Sequence, residues 1–193
     1  MAEKKNAISY ESIMKDLKAR KFAPVYVLMG DEPFYIDKIC DYIAENVLQP
    51  EERDFNQTVL FGADTTAVQV VDQCKGYPMM AEFRVVIVKE AQNLKSLDAL
   101  EKYLEKPVKS TVLVICNKNG SIDRRKKFIP RAEQVGVVFE SKKLYDRQLP
   151  GFIETYLKAR KATIEPKAVQ MVADHIGADL VSYTHLTLPT KRI

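Results

Sequence analysis

At 193 residues, 46% hydrophobic and 29% charged, the chain carries enough apolar material for one domain and part of another, in the range of ordinary soluble globular proteins. Its net charge of +4 is too small to indicate a nucleic-acid partner by itself, and its three cysteines, odd in number and set in apolar periodic segments, read as buried thiols in a reducing compartment. No run reaches membrane-spanning length, and Met1 to Ser9 is polar with no apolar leader core, so a cytoplasmic location with no membrane partner is expected.

Tyr10, Ile13, Met14 and Leu17 mark a first amphipathic helix. The apolar run Val25-Tyr26-Val27-Leu28-Met29 predicts a strand, Gly30-Asp31-Glu32-Pro33-Phe34 a tight turn, and Ile36, Ile39, Cys40, Ile43 and Val47 a helix. Strand, turn and helix in that order make either a plain connection with Pro at the first helical position or the phosphate turn of a nucleotide fold. As a phosphate turn it is poorly equipped. A working P-loop offers glycine amides, a lysine and a Ser/Thr for magnesium, whereas here one glycine is followed by two carboxylates and a proline without an N–H. The pair Asp31-Glu32 is expected to be solvated.

After a charged connection from Pro50 to Asp54, Gln57 to Phe61 predicts a second strand. Ala67, Val70, Val71 and Cys74 predict a helix stopped by Gly76 and Pro78. Arg84 to Lys89 and Thr111 to Cys116 are continuous β-branched runs of the kind buried on both faces of a parallel sheet. Leu97, Leu100 and Leu104 give a short helix before Pro107, Arg124 to Gln134 a basic helix interrupted near Pro130, and Val137 to Phe139 a fifth strand. Five strands alternating with helices argue a doubly wound parallel α/β sheet over residues 1–143.

From residue 144 the periodicity is helical only. Leu149 to Arg160 and Pro166 to Ile176 predict two helices, with Ala168, Val169, Val172, Ala173 and Ile176 on one face of the second, so residues 144–180 read as an incomplete helical domain. Residues 181–193 break that period abruptly and resemble a translated sequencing adapter, so they are expected to be foreign. An intact gene should continue from Leu180 into further amphipathic helix. Without Lys191 and Arg192 the basic residues number 28 against 26 acidic ones, a net charge of +2.

Chemistry is sparse. Outside the tail the one histidine is His175, with no serine or cysteine nucleophile placed for it by sequence, and no Cys/His group has zinc spacing. An active ATPase of this architecture ends its third strand in carboxylates that hold magnesium, and this strand ends in Lys89-Glu90-Ala91. Asn117 reads either as a mimic of a γ-phosphate sensor or as a turn residue before Gly120. No catalytic residue, cofactor or metal ligand is expected, and a non-catalytic relative of NTPases is the favoured class.

Four stretches resemble the delta subunit of the bacterial DNA polymerase III clamp loader: Val25 to Phe34, Pro78 to Val88, Lys143 to Pro150, and Ile164 through Leu180. The resemblance implies an AAA+-like doubly wound five-stranded sheet that binds no ATP, a small helical second domain and a helical collar, of which this chain would reach only the second. It implies a subunit that binds and opens the sliding clamp for loading on primed DNA during replication. Its partners would be the clamp, other loader subunits, chiefly through the collar, and DNA within the assembly. The clamp contact falls between the third helix and third strand, on Met79, Met80 and Phe83. Met79 and Met80 lie past the Gly76 helix stop and outside the apolar stripe, and read either as a plug for a partner pocket or as core under the sheet edge. The alternative function is nucleic-acid binding through the basic segment 118–143, with Arg124, Arg125, Lys126 and Lys127 as its centre, against the reading of a solvated helix face.

Overall fold

The computed structural model describes residues 8–159, 161–177 and 180. The chain divides into two compact units, Met1–Ser141 and Lys142–Ile193.

In the first unit, α1 (Tyr10–Lys18) starts at a Ser9 cap and buries Ile13 and Leu17. β1 (Val25–Gly30) leads into α2 (Pro33–Asn46), and a single 3-10 turn, Pro50–Glu52, into the four-residue α3 (Arg53–Asn56). Then follow β2 (Gln57–Phe61), α4 (Ala67–Lys75), β3 (Arg84–Lys89), α5 (Asp98–Tyr103), β4 (Thr111–Lys118), α6 (Phe128–Val135) and β5 (Val137–Ser141). The strands form one parallel sheet in the order β2-β3-β4-β1-β5.

Successive side chains of a strand point to opposite faces, and both faces of this sheet are covered. Val25, Val27 and Met29 of β1, with Val86, Val88, Leu113 and Ile115, pack under α4, α5 and α6 through Val70, Cys74, Leu100, Phe128 and Ile129. Tyr26 and Leu28, with Val85, Ile87, Val112 and Val114, pack under α1 and α2 through Ile13, Leu17, Ile36, Ile39 and Ile43. This two-sided burial is why β1, β3 and β4 carry continuous apolar runs, whereas the edge strand β2 leaves Val59 and Phe61 exposed. The three cysteines are free and buried.

Three expectations are corrected. The basic stretch is not one helix: Arg124 to Lys127 form turns, and α6 begins at Phe128. Pro130 then falls in the first helical turn, where its missing N–H would have had no intrahelical acceptor, so it breaks nothing. β4 runs to Lys118 because Met29 and Gly30 of β1 still pair with Asn117 and Lys118. The connection after Pro50 holds α3, too short to show any period.

In the second unit, α7 (Leu149–Ala159) buries Leu149, Ile153 and Leu157, and α8 (Pro166–Ile176) buries Val169 and Ala173; the two helices pack together. The tail 181–193 lies outside the described residues.

Gly30, Gly62 and Gly136 in the first unit each leave no room for a Cβ beside a backbone carbonyl oxygen, and Gly30 is the one with a positive φ as well. Gly30 has φ +135°, and a Cβ there would stand 1.9 Å from the Ser141 carbonyl oxygen. Gly30→Ala should therefore destabilise the fold by ~3 kcal/mol, at the upper end of single substitutions, which for a chain of this size lowers the melting temperature by roughly 6 to 12 °C. A thermal melt within about 1 °C of the parent would show that the turn can relax.

Candidate functional site

Three places carry the functional expectations: the turn after β1, the loop between α4 and β3, and the basic segment around Arg124 to Lys127. In the turn, every backbone donor from Gly30 to Phe34 is committed inside the protein. The Gly30 N–H donates to the Gly120 carbonyl at 2.9 Å, and those of Asp31 and Glu32 both reach the Ser141 carbonyl, at 3.0 and 3.4 Å. Pro33 has no N–H, and that of Phe34 donates to Glu32 Oε1 at 3.0 Å. Glu32 is not solvated as expected. Only 4% of it is exposed, and its carboxylate caps the N-terminus of α2, the place where an anionic ligand would otherwise be held. Asp31 alone faces solvent.

Lys89 closes β3, and Glu90 after it adopts a left-handed conformation, φ +52°, with its carboxylate accepting from Asn93 at 3.2 Å. Asn117 is buried and its amide donates to the Gly120 carbonyl at 2.9 Å, which is the turn role of the two that were open. Among the described residues no group of His, Cys, Asp and Glu could hold a metal ion.

The loop from Gly76 to Phe83 presents a different surface. Tyr77 is 85% exposed, Met79 60% and Met80 fully so. Met80 holds a left-handed backbone, φ +53°, which is uncommon for a residue with a long side chain. Phe83 parts company with the methionines. It is half-buried, meets Phe22 edge-on at 5.5 Å between ring centroids, and packs with Ala81 against the core under α1 and α2. Beneath the loop, Asn56 is fully buried and its amide grips the Met79 peptide: Oδ1 accepts from Met79 N–H at 2.6 Å, and Nδ2 donates to the Met79 carbonyl at 2.9 Å. Phe55 beside it is 64% exposed. Sequence reasoning missed Asn56, Phe55 and Tyr77. Asn56 has no local signal, since its partner lies 23 residues away.

The basic segment is largely self-neutralised. Arg124 bridges Glu133 at 3.1 Å and Glu140 at 2.9 Å, Arg125 pairs with Asp123 at 2.9 Å, and Arg131 reaches Glu105 at 2.6 Å. The Arg125 guanidinium also holds the Asp123 carboxyl below the usual carboxylate range. Lys118 bonds Asp37 at 2.6 Å, while Lys126 and Lys127 are exposed.

The family model for DNA polymerase III, delta subunit, matches residues 26–142. The DNA polymerase III subunit delta of Bacillus subtilis is 27% identical over 180 residues, covering 88% of this chain and 52% of that protein. The solved structure of the Bacillus subtilis DNA clamp loader delta protein superposes with a TM-score of 0.77 at 25% identity, covering 91% of this chain and 55% of the other. The chain thus spans about half the length of the relatives it matches. The fold expected from the resemblance, an AAA+-like doubly wound sheet, is the fold of this chain.

Proposed function

The chain belongs to the DNA polymerase III delta subunit family, and on that premise we propose that it binds the sliding clamp and opens it for loading on primed DNA, without binding or hydrolysing ATP. The observation that carries the reading is the exposed pair Met79 and Met80 on a loop whose backbone is held from below. Two methionines in water have no packing reason to be there, and an unbranched, polarisable side chain adapts to an apolar pocket. Phe83 is assigned a supporting role, anchoring the loop's far end in the core rather than entering the partner.

ATP is excluded in this reading by the committed amides of the β1 turn. A phosphate arriving there would meet no unpaired N–H between Gly30 and Phe34 and would face the Glu32 carboxylate. The three buried free thiols suit a reducing cytoplasm. No described helix is long and apolar enough to cross a membrane. A DNA contact through residues 124–127 has less support, because Arg124 and Arg125 already have carboxylate partners and only Lys126 and Lys127 would remain for phosphates.

Replacing Met79 and Met80 together by Ala should weaken clamp binding by on the order of 2 to 4 kcal/mol, ~30-fold or more, because a few buried side chains dominate such interfaces. The melting temperature should hardly move, since surface substitutions usually change stability by less than about 0.5 kcal/mol. A binding assay and a thermal melt on the same preparation check both; unchanged affinity tells against the plug. Calorimetric titration with Mg-ATP should show no saturable heat at millimolar nucleotide, and a micromolar site would refute the second half of the proposal.

A further inference from the structure

Met79 and Met80 are too exposed for side-chain packing to hold them in place, so their presentation has to come from the backbone. That backbone is unusual at Met80, whose φ of +53° is disfavoured for any residue bearing a Cβ. A disfavoured conformation at a solvent-facing residue persists only where its surroundings over-determine it. Here the determinant is one carboxamide. Asn56 ends α3 fully buried, and its Nδ2 donates twice, to the Glu52 carbonyl one turn back at 3.0 Å and to the Met79 carbonyl at 2.9 Å, while Oδ1 accepts from the Met79 N–H at 2.6 Å. Both hydrogen-bonding groups of Met79 are therefore fixed by a single side chain. Aspartate lacks the donor, leucine lacks both groups, and glutamine places them one methylene too far.

We infer that Asn56 is a positioning residue for the partner-binding surface: its amide clasps the Met79 peptide and presets the loop so that Met80 is held outward before any partner arrives. This rests on the reading of Met79 and Met80 as the clamp contact. Presetting matters because an interface that must order a loop on binding forfeits part of its affinity to that ordering.

The first test uses the unaltered chain. Amide hydrogen exchange of Met79 should already be slowed at least about a hundredfold without the clamp, as for a structured amide. Exchange near the unfolded rate in the free chain, with protection only in the complex, would overturn the clasp. The second test is a double-substitution cycle read as affinity for purified sliding clamp, at a temperature where all variants are folded by thermal melt. Asn56→Ala should weaken binding about tenfold, or 1.4 kcal/mol, in the parent, and by less than about twofold in a Met80→Ala background, because Asn56 acts through the residue already removed. An equal loss in both backgrounds would reduce Asn56 to general structural support and overturn the inference. If Met80→Ala weakens binding and Asn56→Ala does not, the functional reading stands and the clasp fails. If Met80→Ala leaves binding unchanged the clasp falls, and if Met79 and Met80 replaced together by Ala leave it unchanged the functional reading falls as well.

Discussion

The carbonyl oxygen of Ser141 is the point on which the carboxyl edge of the sheet depends. It ends β5, lies against Gly30 so closely that no side chain fits there, and accepts from the Asp31 and Glu32 amides. One acceptor thus ties the edge strand β5 to the turn after its neighbour β1. Because the same amides would serve a phosphate in a nucleotide-binding relative, structural closure and ligand binding compete for the same donors. In this chain closure has won, and Glu32, turned inward as a helix cap, completes it. On the proposed reading, the absence of nucleotide binding follows from a rearrangement of hydrogen bonds within an intact fold rather than from damage to it.

That division leaves the two ends of the sheet with different characters. At the carboxyl edge the amides of the β1 turn are all committed internally. At the amino edge, near the start of β3, the loop from Gly76 turns apolar side chains to solvent while its Met79 peptide is held from beneath by Asn56. On the proposed reading, such a surface suits a protein contact, apolar on the outside and ordered beneath.

Most of the fold could be read from sequence because its signals are local. Strands buried on both faces leave continuous apolar runs, and helices such as α2 and α4 leave Ile36, Ile39, Cys40 and Ile43, or Val70, Val71 and Cys74, at helical spacing. The failures share a different cause. Glu32 looked solvated because glutamate is not among the favoured helix caps, although Pro33 at the first helical position marks its place, and Arg124 to Lys127 looked helical because charge density is not periodicity. Phe83 stood beside the methionines in sequence but met Phe22 in space. Asn56 was invisible because hydrogen bonds over 23 residues leave no pattern at either end. At the site, the exposed methionines could be picked out from their position beyond a helix stop; what sets their geometry could not.

The same 23-residue separation has a consequence for the order of folding. Asn56 immediately precedes β2, and Gln57 pairs in parallel register with Val85 near the start of β3, so Asn56 comes beneath the Met79 loop through the pairing of these two strands. Parallel pairing is a non-local event that follows closure of the intervening segment and the helix within it. A chain still emerging or only partly collapsed carries both methionines but not their arrangement. On the proposed reading of the loop, the partner-binding arrangement forms together with the edge of the sheet and depends on that edge being complete.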